Sequence, residues 1–235
     1  MIKQHTVSAF EDEMQFLTHK IAEMGGHAEK MIGQSVKALT TGDVELARAV
    51  IKDDMRLDEG QREIDDKAVL LIAQRQPMAS DLREVFANIR ISSDLERVGD
   101  MAKGIAKRVS SVSEYSHGVK FARGLEHLSE LASAQLKEVL DCYGTRSVDD
   151  VNNIIERDEE IDAMYTSLFR ELLTYMMEDP RNITTCTHLL FCAKNIERIG
   201  DHATNIAEAT YYMVKGHKLD PARPNEDKTH KVSLD

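Results

Sequence analysis

One short stretch of this chain occurs twice. Asp94-Leu95-Glu96-Arg97-Val98-Gly99-Asp100 returns as Asn195-Ile196-Glu197-Arg198-Ile199-Gly200-Asp201, 101 positions later. Upstream, Asp54, Leu57 and Asp58 return as Asp158, Ile161 and Asp162, 104 positions later. A period near 100 residues is too long for a solenoid unit. It points instead to two similar modules in tandem. Those modules can be built from long helices, because the 235 residues hold only four prolines, at 77, 180, 221 and 224, and proline breaks a helix interior. Gly42 followed by Asp43 reads as a helix stop and a new N-cap, and Gly144 to Ser147 repeats that grammar. Pro77 and Pro180 mark sharp turns, and a loose stretch from Ser110 to Gly118 separates the halves.

These breaks predict six helices, at roughly 6–40, 43–75, 80–110, 118–143, 147–178 and 182–214. Helices of ~25–35 residues joined by short turns form antiparallel bundles. The expected fold class is all-α: six long helices forming two tandem, pseudo-symmetric three-helix bundles, over 1–112 and 113–215. Residues 216–235 hold charges and two prolines without an apolar period, so a mobile tail is expected there.

Composition narrows the function. The 30 basic and 41 acidic residues leave a net charge of −11, which argues against nucleic acid as partner, since phosphate binding needs a positive surface. The longest apolar run, Ala68 to Ala73, falls far short of the ~20 residues of a membrane span. No secretory signal pattern opens the chain. Cys142, Cys186 and Cys192 are too few and too irregular for a disulfide framework or a thiolate metal site. A reduced, cytoplasmic setting is expected.

The chemistry emerges when the helix seams are written out. Steps of four and three along the fifth helix pass through Val151, Ile155, Asp158, Asp162, Tyr165, Phe169, Leu172 and Met176. The second helix gives Ala47, Ile51, Asp54, Asp58, Gln61, Asp65, Ala68 and Ile72. Seam positions should be apolar, yet an aspartate pair interrupts both at the same place. The third helix continues with Leu82, Phe86, Ile89, Ser93, Glu96 and Asp100, and the sixth with Ile183, Thr187, Leu190, Lys194, Glu197 and Asp201. Folding each pair as an antiparallel hairpin about its proline turn brings Asp58 level with Glu96 and Asp54 level with Asp100. It likewise brings Asp162 level with Glu197, and Asp158 level with Asp201. Each module thus carries four carboxylates across helices that pack ~8–10 Å apart.

Such a quartet needs compensation, because a like-charge pair at ~6 Å and an effective dielectric of ~20 costs roughly 3 kcal/mol. Protonation, the adjacent Arg97 and Arg198, or a bound hard cation (Mg²⁺, Ca²⁺, Mn²⁺ or iron) are the three remedies. A second stripe, Ile91, Leu95, Val98, Ala102, Ile105 and Val109, runs opposite the acids, as do Ile196, Ile199, Ala203 and Ile206. The stripes should carry the core, leaving the acids in a shallow, wet groove. Gly99 and Gly200 suggest close approach of a neighbouring backbone or ligand. His202 reads as a surface residue, and Asn205 has only Gly104 as its counterpart.

The stretches RQPMASDLREV (75–85), DLERVGDMA (94–102) and NIERIGDHATNIAEA (195–209) closely resemble the PhoU family, and the resemblance runs over about residues 5–215. It implies two tandem three-helix bundles with two acidic motifs each, matching Asp54/Asp58, Glu96/Asp100, Asp158/Asp162 and Glu197/Asp201. It implies metal at those motifs: iron or zinc clusters in some members, magnesium or manganese in others. It further implies a non-enzymatic negative regulator that connects the Pst phosphate transporter's ATPase to a membrane sensor histidine kinase. A homodimer is expected. The residues themselves leave two rivals open, a carboxylate-bridged di-metal enzyme and a metal-free acidic helical adaptor. Against the enzyme, none of the four acidic motifs carries the histidine of the di-iron Glu-x-x-His motif.

Overall fold

Helix begins where the capping chemistry allows it and breaks where the acids crowd. The structure, a computed structural model, describes residues 2–114 and 122–219. Helix α1 spans Ile2–Thr41, and Gly42, at φ 70°, ends it. The Asp43 carboxylate then caps α2 (Val44–Asp53) by accepting from the Leu46 N–H at 2.9 Å. The predicted second helix is two pieces, for α3 runs Met55–Arg75 after a break at Asp54. Helix α4 (Ser80–Ala106) follows the Pro77 turn, in which Gln76 and Ala79 both take positive φ. It stops four residues before the expected 110, and a short α5 (Val109–Ser113) seats Val109 and Val112 in the core.

The second half repeats this order. Helix α6 is Gly124–Thr145, so the expected start at 118 lies outside the described residues, as does the tail from 220 onward. The predicted fifth helix also breaks, into α7 (Val151–Glu156) and α8 (Asp158–Glu178). In both halves the break falls beside the first aspartate of the acidic pair. A single 3₁₀ turn, Pro180–Asn182, leads into α9 (Ile183–Lys215), which Gly216 closes at φ 79°. No strand occurs among the described residues.

Helix α1 packs on α2, α3 and α4, and α6 packs on α7, α8 and α9. The two bundles meet where α4 lies along α9 and α1 along α6. The α4–α9 pair is antiparallel: Asp94 touches His202, the Asn195 amide donates to the Met101 carbonyl at 3.3 Å, and Arg108 lies 4.9 Å over the Phe191 ring. The stripe opposite the acids is the core of this seam, with Leu95, Val98, Ile105, Ile196, Ile199 and Ile206 all fully buried.

The α3–α4 contact departs from the seam read in the sequence. Leu57, Ile64, Ala68 and Leu71 are buried, whereas two expected seam residues, Phe86 of α4 and Ile183 of α9, are 50% and 48% exposed. The buried face runs at helical spacing straight through the break, over Ala47, Val50, Asp54, Leu57, Ile64, Ala68 and Leu71, so Asp58 lies beside it and not on it.

Gly99 sits where Leu57 presses on α4: a Cβ there would collide with the Leu57 Cδ1 methyl, and Leu57 is 1% exposed. Gly33 on α1 faces open space. Alanine favours a helix over glycine by ~1 kcal/mol, while overpacking a core costs ~1–3 kcal/mol. Gly33→Ala should therefore stabilise the chain by roughly 0.5–1 kcal/mol, and Gly99→Ala should destabilise it by ~1 kcal/mol. Urea unfolding of the two variants checks the opposite signs.

Candidate cation sites

The helix breaks and the proline turns bring the eight acids into two groups. In the first, Asp54 begins α3 and is 3% exposed, while Asp58, Glu96 and Asp100 are half-buried. Asp54 Oδ1 lies 3.5 Å from where a Gly99 side chain would start. Burial raises the Asp54 and Glu96 carboxyls above the ordinary carboxylate range, and the neighbouring Asp58 and Asp100 push both further up. In the second group Glu197 is 9% exposed, Asp158 half-buried, and Asp162 and Asp201 exposed. Burial raises Glu197 too, with Asp201 and Asp162 adding to it. The shallow groove is thus deeper than expected, because each group has one acid inside the bundle.

The compensating charges differ from those read in the sequence. Arg97 does contribute, at 3.5 Å from Glu96 and 3.4 Å from Asp100. The closer cation is Lys103, which contacts Asp54 directly and stands 3.4 Å from Asp100, joining α3 to α4. In the second group Arg198 is exposed, and Lys194 takes its expected place, 2.7 Å from Glu197 and 5.4 Å from the Tyr165 ring centre. Both lysines stand three residues from an acid of the motif, a spacing that shares one helix face.

Asp158 is held differently. The Gln135 amide, on α6 and 1% exposed, donates to Asp158 Oδ1 at 3.5 Å, to the Ile154 carbonyl at 3.2 Å and to Thr204 Oγ1 at 3.3 Å. Its carbonyl oxygen, Oε1, has no donor among the described residues, and neither does Glu197 Oε2. No pattern in the sequence singled out Gln135, because its partners lie on three other segments.

As the side chains stand, no three His, Cys, Asp or Glu among the described residues converge as metal ligands. The donor set nevertheless suits a hard cation, being all oxygen, and two buried oxygens at the second group lack a hydrogen-bond donor. His202, read as surface, is half-buried: its Nδ1 lies 2.8 Å from Asp94 Oδ1, which also accepts from the Asn205 amide at 3.3 Å. Both residues tie α9 to α4 and face the seam between the bundles.

The raised carboxyls set a pH dependence. A group whose folded-state pKa lies above its unfolded value binds its proton first in the folded chain, so stability grows as pH falls toward the unfolded value. Asp54, Glu96 and Glu197 behave so, as does Glu84, raised by burial despite its 2.6 Å pair with Arg146. Glu13, held low chiefly by its hydrogen bond from Arg75, loses its contribution only below its ordinary 4.5. Without added cations, the melting temperature should rise as pH falls from 7 toward the ordinary glutamate value of 4.5. A steady fall over that interval contradicts the burial of these acids.

The comparisons with known proteins bear on both halves. The family model described as "PhoU domain" matches residues 21–109 and again 125–210. The phosphate-specific transport system accessory protein PhoU homolog of Rhizobium meliloti (strain 1021) is 62% identical over 97% of each chain. Its counterpart in Caulobacter vibrioides (strain NA1000 / CB15N) is 48% identical over 95% of this chain and 97% of its own. The crystal structure of PhoU from Pseudomonas aeruginosa matches with a TM-score of 0.85 at 35% identity, covering 88% of this chain and all of that one. That of the phosphate transport system regulatory protein PhoU from Streptococcus pneumoniae matches at 0.81 and 29% identity, covering 90% and 99%. The two matched stretches fall one in each half of the chain, and the chain belongs to the PhoU family.

Proposed function

We propose that this chain is a cytoplasmic, non-enzymatic regulator of phosphate uptake, an accessory of the Pst phosphate transporter. It connects the transporter's ATPase to a membrane sensor histidine kinase and keeps the phosphate-starvation regulon off when phosphate is plentiful. The observation that carries this reading is full-length similarity, at 62% identity, to a protein named for the phosphate-specific transport system. Two features of the chain support it. No helix among the described residues is long and apolar enough to cross a membrane. A chain of net charge −11 is repelled by anionic lipid, so membrane machinery is reached through proteins.

The eight acids are the cation sites of this reading: Asp54, Asp58, Glu96 and Asp100 in one bundle, Asp158, Asp162, Glu197 and Asp201 in the other. A bound cation supplies the positive charge that such quartets require; iron, zinc, manganese and magnesium are the candidates, and an all-oxygen set favours the harder ions. Arg97, beside Glu96 and Asp100, offsets part of the repulsion. Held at two heights, α3 and α4, and likewise α8 and α9, lose relative motion and present a fixed surface to a partner. The chain acts as a homodimer, through helices whose Phe86, Ile183 and Phe191 remain exposed. Light scattering that returns 26.5 kDa at micromolar concentrations contradicts the dimer.

The partner assignment is tested by retrieving the tagged chain from cells grown in phosphate-rich medium. The transporter's ATPase subunit should come with it, and a tagged unrelated acidic protein should retrieve none. Recovery of the chain without the ATPase, in cells that contain it, overturns the linkage.

A further inference from the structure

The two acidic groups differ in a way the repeat makes easy to see. Aligning α4 with α9 at the offset of 101 places Ser93, Glu96, Asp100 and Lys103 on Lys194, Glu197, Asp201 and Thr204. Each half keeps one lysine, but at opposite ends of its acidic pair. Lys103 contacts Asp54 on α3 and lies 3.4 Å from Asp100 on α4, so it bridges the two helices of its hairpin. Lys194 reaches Glu197, on its own helix. At the place of Lys103 the second half has Thr204, whose hydroxyl accepts from Gln135.

We propose that the two bundles hold cations unequally: Lys103 is a built-in counter-ion that a cation must displace from Asp54 and Asp100, whereas the second half is the tighter site, supported by Gln135. This deepens the cation-site reading above and rests on it. Three observations carry it. A lysine ammonium and a metal ion compete for the same carboxylate oxygens, and Lys103 engages an acid on each helix. Gln135, 1% exposed, already orients Asp158 through its amide and has a carbonyl oxygen without a donor among the described residues. That oxygen lies 3.2 Å from where a Gly200 side chain would begin, and Asp158 Oδ1 lies 3.1 Å from the same point. Glu197 Oε2, also buried, is without a donor. A cavity of about 290 Å³, lined by Leu131, Ala134, Gln135, Arg157, Glu160 and Ile161, borders Gln135. In the first half Leu57 Cδ1 presses on Gly99 more closely than Ile161 Cδ1, at 3.0 Å, presses on the Gly200 position.

The test is Mn²⁺ titration of the full chain by calorimetry, with electron paramagnetic resonance counting free ion. The wild-type protein should show two classes of site at least tenfold apart. Asp158→Asn should remove the tight class and Asp54→Asn the weak one. Lys103→Gln should tighten the weak class about tenfold. Lys103→Met, which removes the charge and keeps the apolar stem, should act as Lys103→Gln does, and circular dichroism confirms that each variant is helical. Gln135→Leu should loosen the tight class and leave the weak one unchanged. If wild-type protein binds Mn²⁺ in two equal classes and neither Lys103 variant shifts them, the inequality is wrong and the cation sites stand. If wild-type protein takes up none of Mn²⁺, iron, zinc and magnesium, the cation-site reading itself falls.

Discussion

Saturating Mn²⁺ should raise the melting temperature of this protein by about 5–10 °C, and Asp158→Asn/Asp201→Asn should remove most of that gain. The size follows from linkage. An ion present at 100 times its Kd, bound only by the folded chain, adds ~2.7 kcal/mol of stability. For a chain of this length each kcal/mol moves the midpoint by ~2–4 °C. The double variant keeps Glu197 and Asp162 but loses one acid from each helix of the second hairpin, so the ion can no longer span the two. Without metal it should be at least as stable as the wild type, because neutralising two carboxylates lowers a repulsion of roughly 3 kcal/mol per close pair at ~6 Å. Scanning calorimetry with and without chelator separates these effects. A variant that gains as much as the wild type places the ion elsewhere.

The second large effect concerns the seam between the bundles. Leu95 on α4 and Ile196 on α9 are both fully buried in the core. Truncating a buried Leu or Ile to Ala costs ~2–5 kcal/mol, the transfer loss plus the cavity left behind. A folded domain holds only ~5–15 kcal/mol in total. Leu95→Ala and Ile196→Ala should each lower the midpoint sharply, and the pair together should leave the chain largely unfolded at 37 °C. Phe86→Ala, at a position 50% exposed, should stay within ~0.5 kcal/mol of wild type. Equal losses at Leu95 and Phe86 would show that α4 does not bury the face described here.

The seam was legible because its signal is periodic. Ile91, Leu95, Val98, Ala102 and Ile105 repeat at helical spacing, and all are fully buried. The acidic groups were legible for the same reason, as interruptions of a regular pattern that the repeat shows twice. Three things escaped. Helix breaks at Asp54 and Arg157 carry no glycine or proline, so no local punctuation announces them. The buried face of α3, over Leu57, Ile64 and Leu71, also lies one position off the seam drawn through Asp58 and Gln61. Lys103 looks like a surface residue until the hairpin closes, since only the carboxylate on the opposing helix distinguishes it from any other i,i+3 pair. Gln135 was invisible altogether: its amide bonds to residues 19, 23 and 69 positions away. The contacts of His202 and Asn205 with Asp94, 108 and 111 positions away, depend equally on how one bundle meets the other.

Central to the account is a phosphate regulator whose hairpins are fixed by their acidic groups. A phosphate-starvation reporter, read in phosphate-rich medium, tests this most directly. Three strains suffice: wild type, one lacking this protein, and one in which Asp158→Asn/Asp201→Asn replaces the native chain at equal abundance. The account predicts a silent reporter in the wild type, a fully active one in the deletion and an intermediate signal in the variant. A reporter that stays silent in the deletion strain contradicts the regulatory assignment, and one silent in the variant alone removes the acidic groups from its mechanism.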